Sequence, residues 1–506
     1  TGHDPLELMH ATLVGTPAAP DLPPRLRDII MRLLEKDPDQ RYQSAEGLAH
    51  DLARWKADPD GDWELGDRDF PPFLPAPPTL VGRDPQIGTL IAALDRALAG
   101  DGRVVLVSGP PGIGKSALLR TLRPLIAARD GWFLSGKYEQ FRTGVDAGGM
   151  GKVIGTLARL LLALPEAELA SHRQRLITAL EPAGKMLSGA VPELDVLLGG
   201  QVAAEPLDVV APQVWATGTL VTLLHTVAVH RPLVVVIDDL QWATGTSLRA
   251  LDELVTAGPT PGLLVVCAYR DEEVDAGHPL AALVSRWERD GLAAPPLRLA
   301  GLDRTGLAEL TGAVLHVEPT AVAALADLIG TASSGNPYAT VELINALRAE
   351  GLLTPAETGW DWDPYPVRDF VTRHRLPQLL TARLEQQPPA TRHLLVALTC
   401  LGSDVPPDLL ATATATPPAD LRAHLAPAVT DGLISADSTV KFRHDLVLQA
   451  ARDLLPAAEL DRSRLAMARR LAEHDGYEQQ AAEQYLPVTG LIGDDDERRT
   501  AAALLH

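Results

Sequence analysis

The spacing of apolar positions changes several times along the chain. Up to about residue 57, Leu26, Ile29, Ile30, Leu33 and Leu34 recur in one stretch and Leu48, Leu52 and Trp55 in the next. Positions three and four apart share one face of a helix, so two amphipathic helices are predicted there. Residues 58–79 break the rhythm. They are polar at first (Asp58-Pro59-Asp60-Gly61-Asp62) and proline-rich at the end, around Pro71, Pro72, Pro75, Pro77 and Pro78. Proline fixes φ and lacks a backbone donor, which predicts a stiff, extended spacer, with a docking strip for another domain as the alternative. A helix follows, with Ile87, Leu90, Ile91, Leu94 and Leu98 on one side, and then short continuous apolar runs at 104–107, 132–135, 233–237, 263–268 and 297–299. Runs apolar on both faces are what strands covered by helices above and below require, so residues 80–300 read as a doubly wound parallel α/β sheet. From Leu376 the pattern is helical again (Leu379, Leu380, Leu384, Leu394, Leu395, Leu398), followed by β-prone pieces at 432–435 and 440–445. After Leu465, the positions Ala468, Leu471, Ala472, Ala481 and Ala482 predict helical hairpins.

The 506 residues are too many for one core and predict three or four domains. The boundaries read as a helical piece (1–57), a linker (58–79), the α/β unit (80–300), a helical lid (301–372), a helices-then-hairpin module (373–455) and the start of helical repeats (456–506). A net charge of -21 argues against a general nucleic-acid surface and points to protein partners and a nucleotide. Cys267 and Cys400 lie in apolar runs, which makes them core residues in a reducing cytoplasm and not a disulfide or zinc site. No apolar run approaches the roughly 18 to 20 residues a membrane span needs. The chain starts at Thr1 and breaks off in a helical pattern at 501–506, so it reads as a piece of a longer protein.

The chemistry starts where the first strand runs into Gly109-Pro110-Pro111-Gly112-Ile113-Gly114-Lys115-Ser116. A phosphate chain needs a ring of inward-pointing backbone NH groups with little side-chain bulk; Gly109, Gly112 and Gly114 leave that room. In such a P-loop, Lys115 reaches the β- and γ-phosphates of ATP or ADP and Ser116 ligates Mg²⁺. The run 233–237 ends in Asp238 and Asp239. A carboxylate at the end of a buried strand calls for a cation, so Asp238 is the expected metal ligand and Asp239 the residue that polarises the attacking water, with capping of the next helix as the alternative. Arg270, at the end of the following strand, is placed to sense the γ-phosphate or else to pair with Asp271 or Glu272.

Read together, LVGRD (80–84), GPPGIGKS (109–116), GKYEQ (136–140), VPELDVLLG (191–199), VVVIDDLQW (234–242), CAYRDEE (267–273) and GNPYATVEL (335–343) resemble STAND-type, AAA-like signal-transduction ATPases fused behind bacterial Ser/Thr kinases. The stretch 33–52, LLEKDPDQRYQSAEGLAHDL, resembles the end of a kinase C-lobe, in which the arginine matching Arg41 forms an ion pair. No H-R-D, D-F-G or kinase Gly-rich loop precedes it, so no kinase activity is expected in this piece. The resemblance implies a P-loop NTPase fold followed by helical and winged-helix domains. It also implies adenine contacts from Gly82, Arg83 and Pro337, a contact of His444 with the β-phosphate of ADP, and a nucleotide-dependent oligomer. For Pro337 a plain helix boundary, and for His444 a structural role or a DNA contact, remain the alternatives. The sequence departs from the family at Ala243-Thr244, where Ala-Asp is usual, and in the glycine-rich run 144–151; both bear on hydrolysis more than on binding. The expected function is an ATP-binding, ATP-hydrolysing regulatory switch. A non-hydrolysing ADP-bound scaffold and the ATPase core of a LuxR-type transcription regulator stand as alternatives.

Overall fold

The computed structural model describes residues 17–35, 40–71, 73–139, 149–180, 192–198, 212–356 and 359–505. Residues 36–39 of the kinase-like stretch, Gln140, residues 144–148 of the glycine-rich run, Val191 and Gly199 lie outside the described residues. Five parallel strands, β1 (Val105–Ser108), β2 (Trp132–Lys137), β3 (Leu233–Asp238), β4 (Leu263–Tyr269) and β5 (Leu297–Arg298), form one sheet in the order β2-β3-β4-β1-β5. The strands alternate as a pleated sheet must. Val234, Val236, Leu264 and Val266 face a layer with Leu90, Leu94, Leu118 and Leu122, while Val235, Ile237, Val265 and Cys267 face Leu157, Leu161, Leu223 and Leu251. Each fully buried aliphatic side chain contributes about 1.5–3 kcal/mol, which is why both strand faces had to be apolar. This is the P-loop NTPase-like architecture that the hydrophobic runs predict.

The strand order decides what meets at the sheet's C-terminal edge. Because β4 lies between β1 and β3, the loop after β1, Arg270 after β4 and Asp238-Asp239 at the end of β3 come together in one crevice.

Behind the sheet, helices Arg304–Leu315, Ala323–Ser333, Pro337–Ala349 and Pro364–Arg373 enclose a core of Leu307, Leu310, Leu325, Ile329, Ile344 and Val367. Helices from Leu376–Gln386 to Asp445–Arg452 surround another core, together with the antiparallel hairpin Ile434–Ala436/Val440–Phe442. Helices Ala457–Ala472, Glu478–Tyr485 and Asp495–Leu504 complete the helical C-terminal region. At the other end, the expected helical pair is present as Pro24–Leu33 and Ala45–Ala57, and Ser44 Oγ caps the second helix by accepting from Gly47 N. Arg41 donates to the Glu35 carbonyl and not to a carboxylate. Among the described residues, no helix is long and apolar enough to cross a membrane. Cys267 and Cys400 are buried free thiols, as expected, and burial pushes Cys267 up to about 12.

The linker is not the plain spacer its composition predicts. Leu74 is 1% exposed and shares the core of Leu302, Val341 and Val371. An extended, proline-rich backbone has no internal hydrogen bonds, so any part of it that is buried must find outside partners. Asn345 supplies them: its Oδ1 accepts from Leu74 N at 2.7 Å and its Nδ2 donates to Leu74 O at 2.9 Å.

Candidate functional site

The loop after β1 turns on Gly109, Gly112 and Gly114, whose φ angles of 151°, 77° and 99° L side chains rarely adopt. Gly112 is required for space as well: a Cβ there would lie 2.9 Å from Asn336 Oδ1 and 3.0 Å from Tyr338 Cβ. Lys115 opens the helix Lys115–Arg120, and its Nζ donates to the carbonyls of Gly109 (2.7 Å) and Pro110 (3.0 Å). The residue is 7% exposed, and burial holds its ammonium below the ordinary value against the pull of Asp239 and Asp238. Ser116 Oγ donates to Asp238 Oδ2 at 2.5 Å. The P-loop hydroxyl and the first carboxylate of the acidic pair therefore sit side by side, although 122 residues separate them.

Asp239 is 3% exposed and adopts φ 52°, a left-handed turn that aims its carboxylate back into the crevice. Its Oδ2 lies 3.1 Å from Lys137 Nζ, and its Oδ1 lies 3.3 Å from Arg270 Nε and accepts from Gln241 Nε2 at 3.1 Å. Burial pushes the Asp239 carboxyl above its usual range, with Lys137 opposing. It does not cap the helix Gly245–Thr256. Thr244 does, accepting from Ser247 N, which gives the departure from Asp at this position a structural use.

Arg270 is 6% exposed and pairs with neither Asp271 nor Glu272. Its guanidinium reaches Glu273 Oε1 (2.9 Å), Asp445 Oδ2 (2.7 Å) and Asp239, and stacks 4.5 Å from the Trp242 ring centroid. Asp445 comes from the distant hairpin module and also accepts from Lys137 Nζ at 2.7 and 2.9 Å. Burial alone would lower both cations, but Asp445 and Asp239 raise them above their ordinary values. Burial likewise works against ionised Asp445, yet Lys137 brings it down to about 2. Charge-assisted bonds in a partly dried crevice thus hold this module against the ends of β2 and β4.

The remaining wall comes from the helix Pro337–Ala349. Asn336 Nδ2 donates to Pro111 O at 2.9 Å and Tyr338 N donates to Gly112 O at 3.3 Å, so the Gly-Asn-Pro-Tyr turn that places Pro337 sits on the P-loop itself. The Tyr338 ring stacks on His444 with centroids 3.8 Å apart. Arg83 is buried and donates to the carbonyls of Ala300 (2.7 Å) and Ile113 (3.3 Å), and Gly82 beside it takes φ 63° against Leu302. Arg83 therefore ties the start of the α/β unit to the P-loop.

His444 caps the helix Asp445–Arg452: its Nδ1 accepts from Leu446 N at 3.1 Å, which puts the proton of the neutral ring on Nε2. Burial lowers it from 6.5 to about 4, with Lys137, Arg270 and Lys115 adding to the effect and Asp445 opposing. The unfolded chain therefore takes up a proton below about 6.5 that the folded protein refuses until about 4. Stability should fall as the pH drops through that window, by up to about 2 kcal/mol between pH 7 and 5. Urea unfolding at the two pH values measures it. A His444→Phe protein, keeping the stack, should lose less on acidification; an equal loss in both proteins would refute the assignment.

Residues 79–266 match the AAA ATPase domain family. The AAA ATPase match spans the P-loop, the acidic pair and most of the sheet. A 282-residue stretch, 49% of the chain, is 25% identical to hybrid signal transduction histidine kinase G of Dictyostelium discoideum and covers 8% of that protein. Another, of 212 residues and 40% of the chain, is 32% identical to an uncharacterized protein of Rhizobium meliloti (strain 1021) and covers 20% of it. The chain thus spans a small part of either relative. Among solved structures, a STAND protein with a tetratricopeptide repeat sensor from Pyrococcus horikoshii matches with a TM-score of 0.48 at 14% identity, over 86% of this chain and 52% of that one. RuvB of Thermotoga maritima matches with a TM-score of 0.30 at 14% identity, over 74% and 96%.

Sequence reasoning missed Lys137, Gln241 and Asp445. Lys137 and Asp445 each carried a signal: one is a charge ending a buried strand, the other stands beside His444. Gln241 carried none, since its amide matters only because it faces Asp239 on one side and accepts from Arg270 N at 3.1 Å on the other.

Proposed function

We propose that the chain is an ATP-binding regulatory switch whose hairpin module monitors the nucleotide. The observation that carries this reading is Asp445, a carboxylate from outside the AAA ATPase match that holds Lys137 and Arg270 beside the P-loop. The γ-phosphate of ATP would compete with Asp445 for these two cations, whereas ADP would leave both bonds in place and the module closed over it, so nucleotide state and module position are thermodynamically linked. Ser116 and Asp238 present two hard oxygens side by side, a donor set that suits Mg²⁺, which when bound would neutralise phosphate charge. Asp239 is the group to orient the attacking water, Arg270 the γ-phosphate sensor, and Gly82, Arg83 and Pro337 frame the adenine side. His444, neutral and stacked on Tyr338, is the residue to meet the β-phosphate on this reading. On this reading the helical pair at the N-terminus would be the end of a Ser/Thr kinase C-lobe; the histidine-kinase relative belongs to signal transduction by name. On this reading the module at 373–455 is winged-helix-like, and the outputs are protein partners or further domains of a longer cytoplasmic chain.

One observation favours a second reading, a scaffold that keeps ADP without turnover: both Asp239 oxygens are engaged, by Lys137 on one side and by Arg270 and Gln241 on the other. Calorimetry of the whole chain tests the shared premise. Mg·ATP and Mg·ADP should both bind, and EDTA should weaken ATP by an order of magnitude or more. The absence of binding heat with either adenine nucleotide refutes the proposal. Steady phosphate release then separates the switch from the scaffold.

A further inference from the structure

The N-terminal helical pair and the start of the linker form one unit. The Asp69 side chain has no exposed surface; its Oδ1 accepts from Gln43 N (2.9 Å), Ser44 N (2.8 Å) and Ser44 Oγ (3.0 Å), and its Oδ2 lies 3.5 Å from Arg32. Arg32 also donates to Leu65 O at 2.6 Å, and Gly66 N donates to Asp51 at 2.8 Å. A carboxylate with this many donors does not swivel freely.

The very next residue lies on the lid. The Phe70 ring is 4.8 Å from that of Trp360, and Pro71 O accepts from Arg348 at 3.0 Å. Asn345 holds both backbone groups of Leu74. Between these lid anchors, Phe73 reaches the hairpin module: the Arg383 guanidinium lies 5.1 Å from its centroid, and a Cβ on Gly432, in the turn before the hairpin, would come within 2.5 Å of the ring. Arg383 in turn bonds Glu342 and the Asp431 carbonyl. Glu342 and Asn345 belong to the Pro337–Ala349 helix, whose first turn rests on the P-loop. Thirteen helical residues make a rod of about 20 Å, stiff enough to act as a lever.

We infer that the contacts of Asp69, Phe70, Pro71, Phe73 and Leu74 form a strap through which the N-terminal helical pair regulates nucleotide release. The inference rests on the switch reading above. If the hairpin module swings away from the lid, Phe73, whose neighbours Pro71 and Leu74 are tied to the lid, must part from Arg383 and Gly432, so a docked strap favours retention. A single peptide bond separates the Asp69 anchor from Phe70, so displacement of the helical pair reaches the lid with little slack.

The test uses the whole chain and a fluorescent ADP analogue chased with excess ADP. Phe73→Ala should release the analogue about tenfold faster, within the usual range of coupling between sites. Asp69→Ala, which leaves Phe73 and Leu74 in place, should give a smaller acceleration in the same direction. An unchanged rate in both variants overturns the inference. A Phe73→Cys, Gly432→Cys protein guards against misfolding as the cause, because its oxidised and reduced forms share one sequence. Both native thiols are buried, so the new pair should oxidise selectively. Oxidised protein should release the analogue more slowly than reduced; equal rates overturn the strap. If the unaltered chain binds no analogue, the switch reading fails first, a result distinct from normal binding with an indifferent strap.

Discussion

An Asp239→Asn protein is expected to bind Mg·ATP and to lose turnover by a factor of about 10² to 10⁴, the usual contribution of a positioned general base. The substitution keeps the shape of the side chain and its left-handed turn, which asparagine tolerates well. It removes the charge that Lys137 and Arg270 share, but each cation keeps Asp445, and Arg270 keeps Glu273, so neither is stranded. Phosphate release and nucleotide affinity, measured on the same preparation, decide the matter. Loss of affinity together with rate would mean that Asp239 serves the pocket's shape and not the water.

Asp445→Ala should act in the opposite direction, speeding ADP release by roughly 10- to 150-fold and raising exchange for ATP. The carboxylate accepts from Lys137 and Arg270 at 2.7 Å each, and these bonds run between the ends of two sheet strands and a helix start on another module. Because Lys137 brings its ionisation down to about 2, the carboxylate remains charged at neutral and mildly acidic pH, and the effect should vary little between pH 6 and 8. Breaking a desolvated pair from one side costs more than the pair contributes, because the cations left behind have already lost their water. Both cations nevertheless retain other carboxylates, so the protein should stay folded, as a urea midpoint near that of the unaltered chain would show. Unchanged ADP release would leave Asp445 a structural residue only.

What could be read from the sequence was local. The strands announced themselves through runs such as 233–237, apolar on both faces, and the P-loop through glycines that its turn cannot do without. The pairing of Ser116 with Asp238 followed from knowing that both end up at one sheet edge. What could not be read joins positions far apart. Lys137 meets Asp445 across 308 residues and Leu74 meets Asn345 across 271, and no periodicity encodes which distant surface a charge or an extended segment will face. The linker's role stayed open between spacer and docking strip for a related reason: prolines guarantee extension but say nothing about whether the extended backbone is bare or clamped. The helix-capping use of the Thr244 hydroxyl, a task that aspartate would also perform, likewise shows only in the fold.

Trp242 carries a practical consequence. Its indole lies under the Arg270 guanidinium and donates to Glu273, so the emission of this ring depends on where that guanidinium sits. A chain with its other tryptophans replaced by phenylalanine would report arginine movement as a change in intrinsic fluorescence, letting the timing of the nucleotide response be followed with no label attached.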